Sequence, residues 1–164
     1  MRSIMILNAK GGSGKSTLST NLASYYASNG NKVLLVDYDP QHSSLDWLKE
    51  RPVGRPGISA VDGSAGTVRT PRNIDYVIYD TPAAVRGKEL AALIRKSQSI
   101  IIPVLPSPID MRAATPFIRE VLNNGKVSRK ETRVALVANR CRETTNVYHM
   151  LEEYLKKMRK APFI

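Results

Sequence analysis

The residues richest in chemistry lie near the start of the 164-residue chain, in Ala9-Lys10-Gly11-Gly12-Ser13-Gly14-Lys15-Ser16-Thr17. An apolar run, Ser3–Asn8, precedes this stretch, and a helical pattern follows it. Strand, glycine-rich loop and helix is the context in which a loop grips phosphate. Small residues let successive backbone N–H groups turn inward as an anion nest, and the helix start adds partial positive charge. In such a loop Lys15 reaches the β- and γ-phosphates, and the Ser16 hydroxyl ligates Mg²⁺. The usual spacing G-x-x-x-x-G-K-[ST] asks for glycine at position 9, where this chain has Ala9; it carries an additional lysine, Lys10, instead.

Carboxylates follow at the ends of two later apolar runs. Lys32–Asp37 leads into Asp37-Tyr38-Asp39-Pro40-Gln41. Aspartates at i and i+2 leave a strand on the same side. Asp75–Tyr79 leads into Asp80-Thr81-Pro82. A carboxylate placed after an apolar strand is the Walker B arrangement, which holds Mg²⁺ beside a nucleotide.

Positioning these groups takes an alternating fold. Strands are expected at Ser3–Asn8, Lys32–Asp37, Asp75–Tyr79, Ser99–Leu105 and Thr132–Ala138. Helices are expected at Lys15–Asn29, Ser43–Glu50, Gly87–Lys96, Met111–Asn123 and Thr145–Arg159. In the first helix Leu18, Leu22, Tyr25 and Tyr26 fall on one face. In the last, Val147, Met150, Leu151, Tyr154, Leu155 and Met158 do the same. Residues 52–73, rich in Pro and Gly, read as a connection with a short strand near Ile58–Val61. Apolar strands alternating with helices predict an α/β fold, a mostly parallel sheet with helices on both faces. Ligands in such folds bind at the carboxyl ends of the strands, where the residues above fall. The length suits one domain spanning 1–164.

Composition narrows the class. One cysteine, Cys141, allows no intrachain disulfide and no Cys-rich metal site. The apolar runs are strand-sized, far short of the ~20 residues of a membrane span. Formal charge is +11, and residues 83–164 hold 16 of the 25 basic side chains but 7 of the 14 acidic ones. That basic half, which includes Arg112, Arg119, Lys126, Lys156, Lys157, Arg159 and Lys160, suits a polyanion gripped through its phosphates without base reading.

Four islands in order, Lys10–Thr17, Asp37–Gln41, Tyr79–Pro82 and Ala138–Arg140, resemble the ParA/MinD family of deviant Walker A P-loop ATPases. The likeness is strongest to short ParA-type partition and positioning members. It implies a single ATPase domain that binds ATP with Mg²⁺ through Lys10, Gly11, Gly12, Ser13, Gly14, Lys15, Ser16 and Thr17. It implies that Asp39 orients the attacking water, that Asp37 helps Ser16 and Asp80 around Mg²⁺, and that Asn139 and Arg140 meet the adenine. Lys10 is the family's signature lysine, which reaches a partner subunit's nucleotide and so couples ATP to homodimerisation. Pro103–Pro108 resembles the family's switch and dimer segment, and Trp47 is expected to be a packing residue. The resemblance further implies slow, partner-stimulated hydrolysis, nonspecific binding to nucleoid DNA in the cytoplasm, and a ParB-like adaptor that selects a plasmid, chromosome locus or carboxysome as cargo. The alternative is a MinD-type regulator cycling on membranes through a basic amphipathic last helix, without stable membrane insertion. Family members continue beyond this length. Ala161–Ile164 reads as the start of a further strand, so the last C-terminal elements are expected to be missing.

Overall fold

The computed structural model describes residues 1–158 and 161. The elements are β1 (Arg2–Ile6), α1 (Lys15–Ser28), β2 (Val33–Asp37), α2 (Ser43–Lys49), β3 (Ser59–Asp62), β4 (Tyr76–Asp80), α3 (Gly87–Lys96), β5 (Ser99–Val104), α4 (Pro108–Leu122), α5 (Gly125–Ser128), β6 (Arg133–Ala138) and α6 (Asn146–Lys157). The alternation and its parallel strands are those expected, and the short strand of the Pro/Gly-rich connection is β3. The single turn α5 had no apolar period to announce it. The expected extension of α6 to Arg159, the basic side chains Arg159 and Lys160, and the strand start at 162–164 lie outside the described residues.

The chain divides into two compact units, residues 1–6 with 15–82, and residues 7–14 with 83–164. In the first, the strands run parallel in the order β3-β2-β4-β1. Their side chains supply its core: Met5, Ile6, Leu34, Leu35, Val36, Val77 and Ile78 are fully buried. Apolar residues on both faces of a strand are what a sheet covered on both sides requires. The register aligns Asp37 with Asp80 at the carboxyl ends of β2 and β4. The Thr81 hydroxyl donates to the Ile6 carbonyl at 2.6 Å and fixes the end of β4 against β1.

Helix α1 departs from the expected face. Its buried residues are Ser19, Thr20, Ala23 and Ala27, with Lys15 at its start, while Tyr25 is 62% exposed. Small residues at i, i+4 and i+8 let the helix approach its neighbours closely, and this outweighs the pull of the larger apolar side chains. Tyr26 instead stacks on Tyr76, with ring centroids 3.7 Å apart. Trp47 in α2 is 38% exposed, with the Arg51 guanidinium 5.9 Å from its ring.

In the second unit β5 and β6 pair in parallel, from Ser99 against Arg133 to Val104 against Ala138. Leu7 runs beside β5, its N–H donating to the Ile101 carbonyl at 2.9 Å. Helices bury Leu90, Leu93 and Ile94 from α3, Met111, Phe117, Ile118 and Val121 from α4, and Leu151 and Leu155 from α6. Of the face expected for α6, Val147 and Met150 are exposed. The Thr145 hydroxyl caps α6 by accepting the Tyr148 N–H.

Candidate functional site: a phosphate loop and three strand-end carboxylates

The loop is held from its base. Asn8 is buried; its amide donates to the Pro103 carbonyl at 2.6 Å, and its Oδ1 accepts the Lys10 N–H at 3.0 Å. The Ala84 N–H closes on the Ala9 carbonyl at 2.8 Å. Gly12 and Gly14 take φ of +74° and +90°, a region that costs residues with a Cβ ~1–2 kcal/mol. At Gly14 a side chain would also collide with the Asn139 amide. That amide donates to the Ser13 carbonyl at 2.8 Å, while its oxygen accepts the Arg140 N–H. Asn139, expected at an adenine edge, also braces the loop through this bond; Arg140 is exposed beside it. The Ser13 hydroxyl is buried with no hydrogen-bond partner among the described residues.

The two lysines differ in surroundings. Lys10 is 41% exposed and its ammonium lies 2.5 Å from Asp110 Oδ1, in the first turn of α4. Burial pushes the Asp110 carboxyl up, but the hydrogen bonds from Lys10 and Ser107 and the charge of Lys10 outweigh it and hold the carboxyl below the usual range. Lys15 is 6% exposed. Burial lowers its pKa, and the charges of Asp80 and Asp39 oppose that without cancelling it.

The carboxylates sort by their partners. Asp80 is fully buried, and neither oxygen has a hydrogen-bond partner among the described residues. Burial pushes its pKa up to about 6; the nearby Ser16, Ser44 and Ser19 hydroxyls temper this, and the Asp37 charge adds to it. Asp37 is equally buried but fully engaged. Its Oδ2 accepts the Ser44 hydroxyl at 2.7 Å and the N–H groups of Ser44 and Leu45 at 3.2 and 3.3 Å, and its Oδ1 accepts the Asp39 N–H at 2.9 Å. Asp37, expected beside the metal, therefore spends both oxygens on protein donors. Asp39 is half-buried and heads a turn: its Oδ1 accepts the Gln41 N–H and its carbonyl the His42 N–H.

An orphaned buried carboxylate with the Ser16 hydroxyl nearby is a hard oxygen set that fits Mg²⁺. Among the described residues no group of three His, Cys, Asp or Glu side chains could hold a metal alone. Mg²⁺ sites characteristically draw remaining ligands from substrate phosphates and water. Sequence reasoning missed Asn8, Ser44 and Asp110. Asn8 ends an apolar run and Asp110 follows a helix-starting proline, but neither pattern announces a partner so distant in the chain.

Parallel strands, a glycine loop opening a helix, and carboxylates at strand ends define a P-loop nucleotide-binding domain. Residues 4–164 match the CobQ/CobB/MinD/ParA nucleotide binding domain, and the chain belongs to that family. The "Maintenance of carboxysome distribution protein A" of Gloeobacter kilaueensis is 33% identical over 129 residues, which are 76% of this chain and 59% of that protein. The chain thus spans 59% of that relative's length. Among solved structures, apo McdA from Cyanthece superposes with a TM-score of 0.77 at 16% identity, covering 99% of this chain and 84% of that one. The pNOB8 ParA bound to nonspecific DNA gives 0.69 at 20% identity, covering 99% and 78%. At such identities these two establish the likeness of fold.

Proposed function

We propose that this chain is the nucleotide-binding domain of a ParA-type positioning ATPase. In this reading it dimerises on ATP, binds DNA without sequence preference, and moves or spaces a cargo through an adaptor. The observation that carries the reading is the division of labour between the lysines. Lys15 is buried toward Asp80 and Asp39, as a phosphate ligand must be, while Lys10 sits half-exposed on the same loop. Lys10 is then free to serve a nucleotide on a second subunit once it leaves Asp110. The Gloeobacter relative's name supports a carboxysome cargo, and the DNA-bound ParA supports a DNA track.

In the proposed mechanism the loop N–H groups and Lys15 bind the β- and γ-phosphates. Asp39 orients a water for in-line attack and Gly11–Gly14 hold the nucleotide in place. Ser16 and Asp80 would hold Mg²⁺, which neutralises phosphate charge when bound. Thr17, Asn139 and Arg140 complete the nucleotide's surroundings. The protein contributes positioning and electrostatics, with no covalent intermediate.

No helix of the described residues is long and apolar enough to cross a membrane. α6 buries Leu151 and Leu155, which leaves its apolar stripe partly used. The experiment compares cosedimentation with random-sequence duplex and with anionic liposomes, with ATP, ADP or no nucleotide. ATP-dependent capture on DNA is expected. Capture on liposomes and not on DNA overturns the reading in favour of membrane cycling.

A further inference from the structure

We propose that Ser44 is a positioning residue for hydrolysis, acting through the Asp37 carboxylate on Asp39. The inference rests on the functional reading above. Asp37 closes β2, and its carboxylate joins two segments: Oδ2 takes Ser44 and Leu45 at the start of α2, and Oδ1 takes the Asp39 N–H. The intervening turn Tyr38-Asp39-Pro40-Gln41-His42-Ser43 is thereby tied at both ends to one buried side chain. Within it, Asp39 accepts from Gln41 and His42, and His42 sits at φ +51°. A turn carrying a left-handed non-glycine residue keeps its shape only when its surroundings over-determine it.

Ser44 supplies the shortest of the three bonds on Oδ2, at 2.7 Å against 3.2 and 3.3 Å, and it is fully buried. No other side-chain group donates to that oxygen among the described residues. Losing the hydroxyl leaves Asp37 Oδ2 on two long amide bonds and lets the Asp39 turn drift. A displacement of about 1 Å at a catalytic group costs on the order of 100-fold in rate, and a loosened tether costs part of that. The Ser44 hydroxyl also lies near the Asp80 carboxyl; with Mg²⁺ saturating, loss of the Asp37 tether falls on kcat.

The test is steady-state ATPase with Ser44→Ala and Ser44→Thr, together with hydrogen exchange of the Asp39 amide in the nucleotide-free protein. Expected for Ser44→Ala is a kcat lowered about 10-fold, as for a lost hydrogen bond to a charged group, with KM for ATP unchanged. Faster exchange at Asp39 and recovery of most of kcat in Ser44→Thr complete the expectation. If Ser44→Ala does not fold, the near-isosteric Ser44→Cys, a weak donor, carries the same comparison. Unchanged kcat, a parallel rise in KM, or failure of the Thr variant to recover overturns the inference while hydrolysis by the parent stands. Absence of hydrolysis in the parent overturns the functional reading itself.

Discussion

Asp80→Asn should stabilise the nucleotide-free protein while abolishing its chemistry. The carboxyl ionises near 3.8 in an unfolded chain and about 6 in the fold, chiefly because it is buried. Between those values the folded protein holds a proton that the unfolded chain has released, so stability falls as pH rises. The contribution is fully present below about 4 and fully lost above about 6. The gap corresponds to ~3 kcal/mol of destabilisation at pH 7.5, since one pH unit is about 1.36 kcal/mol. An asparagine amide in the same place still needs partners, at a cost of ~1–2 kcal/mol. The net gain is then ~1–2 kcal/mol, or about 2–8 °C in Tm for a chain of this length. The assay is thermal unfolding in EDTA without nucleotide, for parent and variant, at pH 7.5 and pH 4. The gain should shrink or reverse at pH 4, where the parent carboxyl is also neutral. A variant no more stable than the parent at pH 7.5, or equally favoured at both pH values, refutes the claim that Asp80 is a buried, uncompensated charge awaiting a cation.

Asp39→Ala should retain ATP binding, lose hydrolysis and leave a persistent ATP dimer on DNA; single-turnover assays and light scattering check this, and parental turnover contradicts it. Lys10→Ala should bind a fluorescent ATP analogue yet show no ATP-dependent change in mass. Asp110→Asn should favour the ATP dimer by a few-fold and less than about 10-fold, because a half-exposed ion pair is worth ~1 kcal/mol or less; the dimerisation constant from sedimentation measures it. Gly14→Ala should weaken nucleotide binding, and adding Asn139→Ala should restore it only in part, since the second change removes the collision but not the backbone cost; isothermal titration separates the two.

What the sequence disclosed follows a physical divide. The strand ends and the loop were legible because parallel sheets place ligand chemistry at one end of continuous apolar runs, and Asp37, Asp80 and Lys15 all stand there. The face of α1 was misread because Leu18, Leu22, Tyr25 and Tyr26 set a helical period that the buried face does not follow. Ser19, Ala23 and Ala27 bury instead, and small residues carry almost no signal in a hydropathy pattern. The pairing of Lys10 with Asp110, the brace from Asn139 to Ser13 and the anchoring of Asp37 by Ser44 were not legible. Two of these join residues about 100 or more positions apart, and all depend on side-chain direction, which spacing alone does not fix.

The three strand-end aspartates show how one chemical group takes three roles through its partners. Asp37 receives four donors and ties the turn after β2 in place. Asp39, half-buried and in a turn, is left open to water, which suits the water-orienting role proposed for it. Asp80 receives no hydrogen bond among the described residues, and its ionisation is opposed by burial. A buried carboxylate in that condition is costly unless something positive joins it. Lys15 is near but is itself depressed by burial, so each group leaves the other short of compensation. A divalent cation at Asp80 together with phosphates at Lys15 relieves both deficits at once. Nucleotide and metal should therefore bind with positive coupling, each tightening the other. Titrating an ATP analogue with and without Mg²⁺ measures that coupling, and a Kd indifferent to Mg²⁺ would mean that the two groups do not share the ligand.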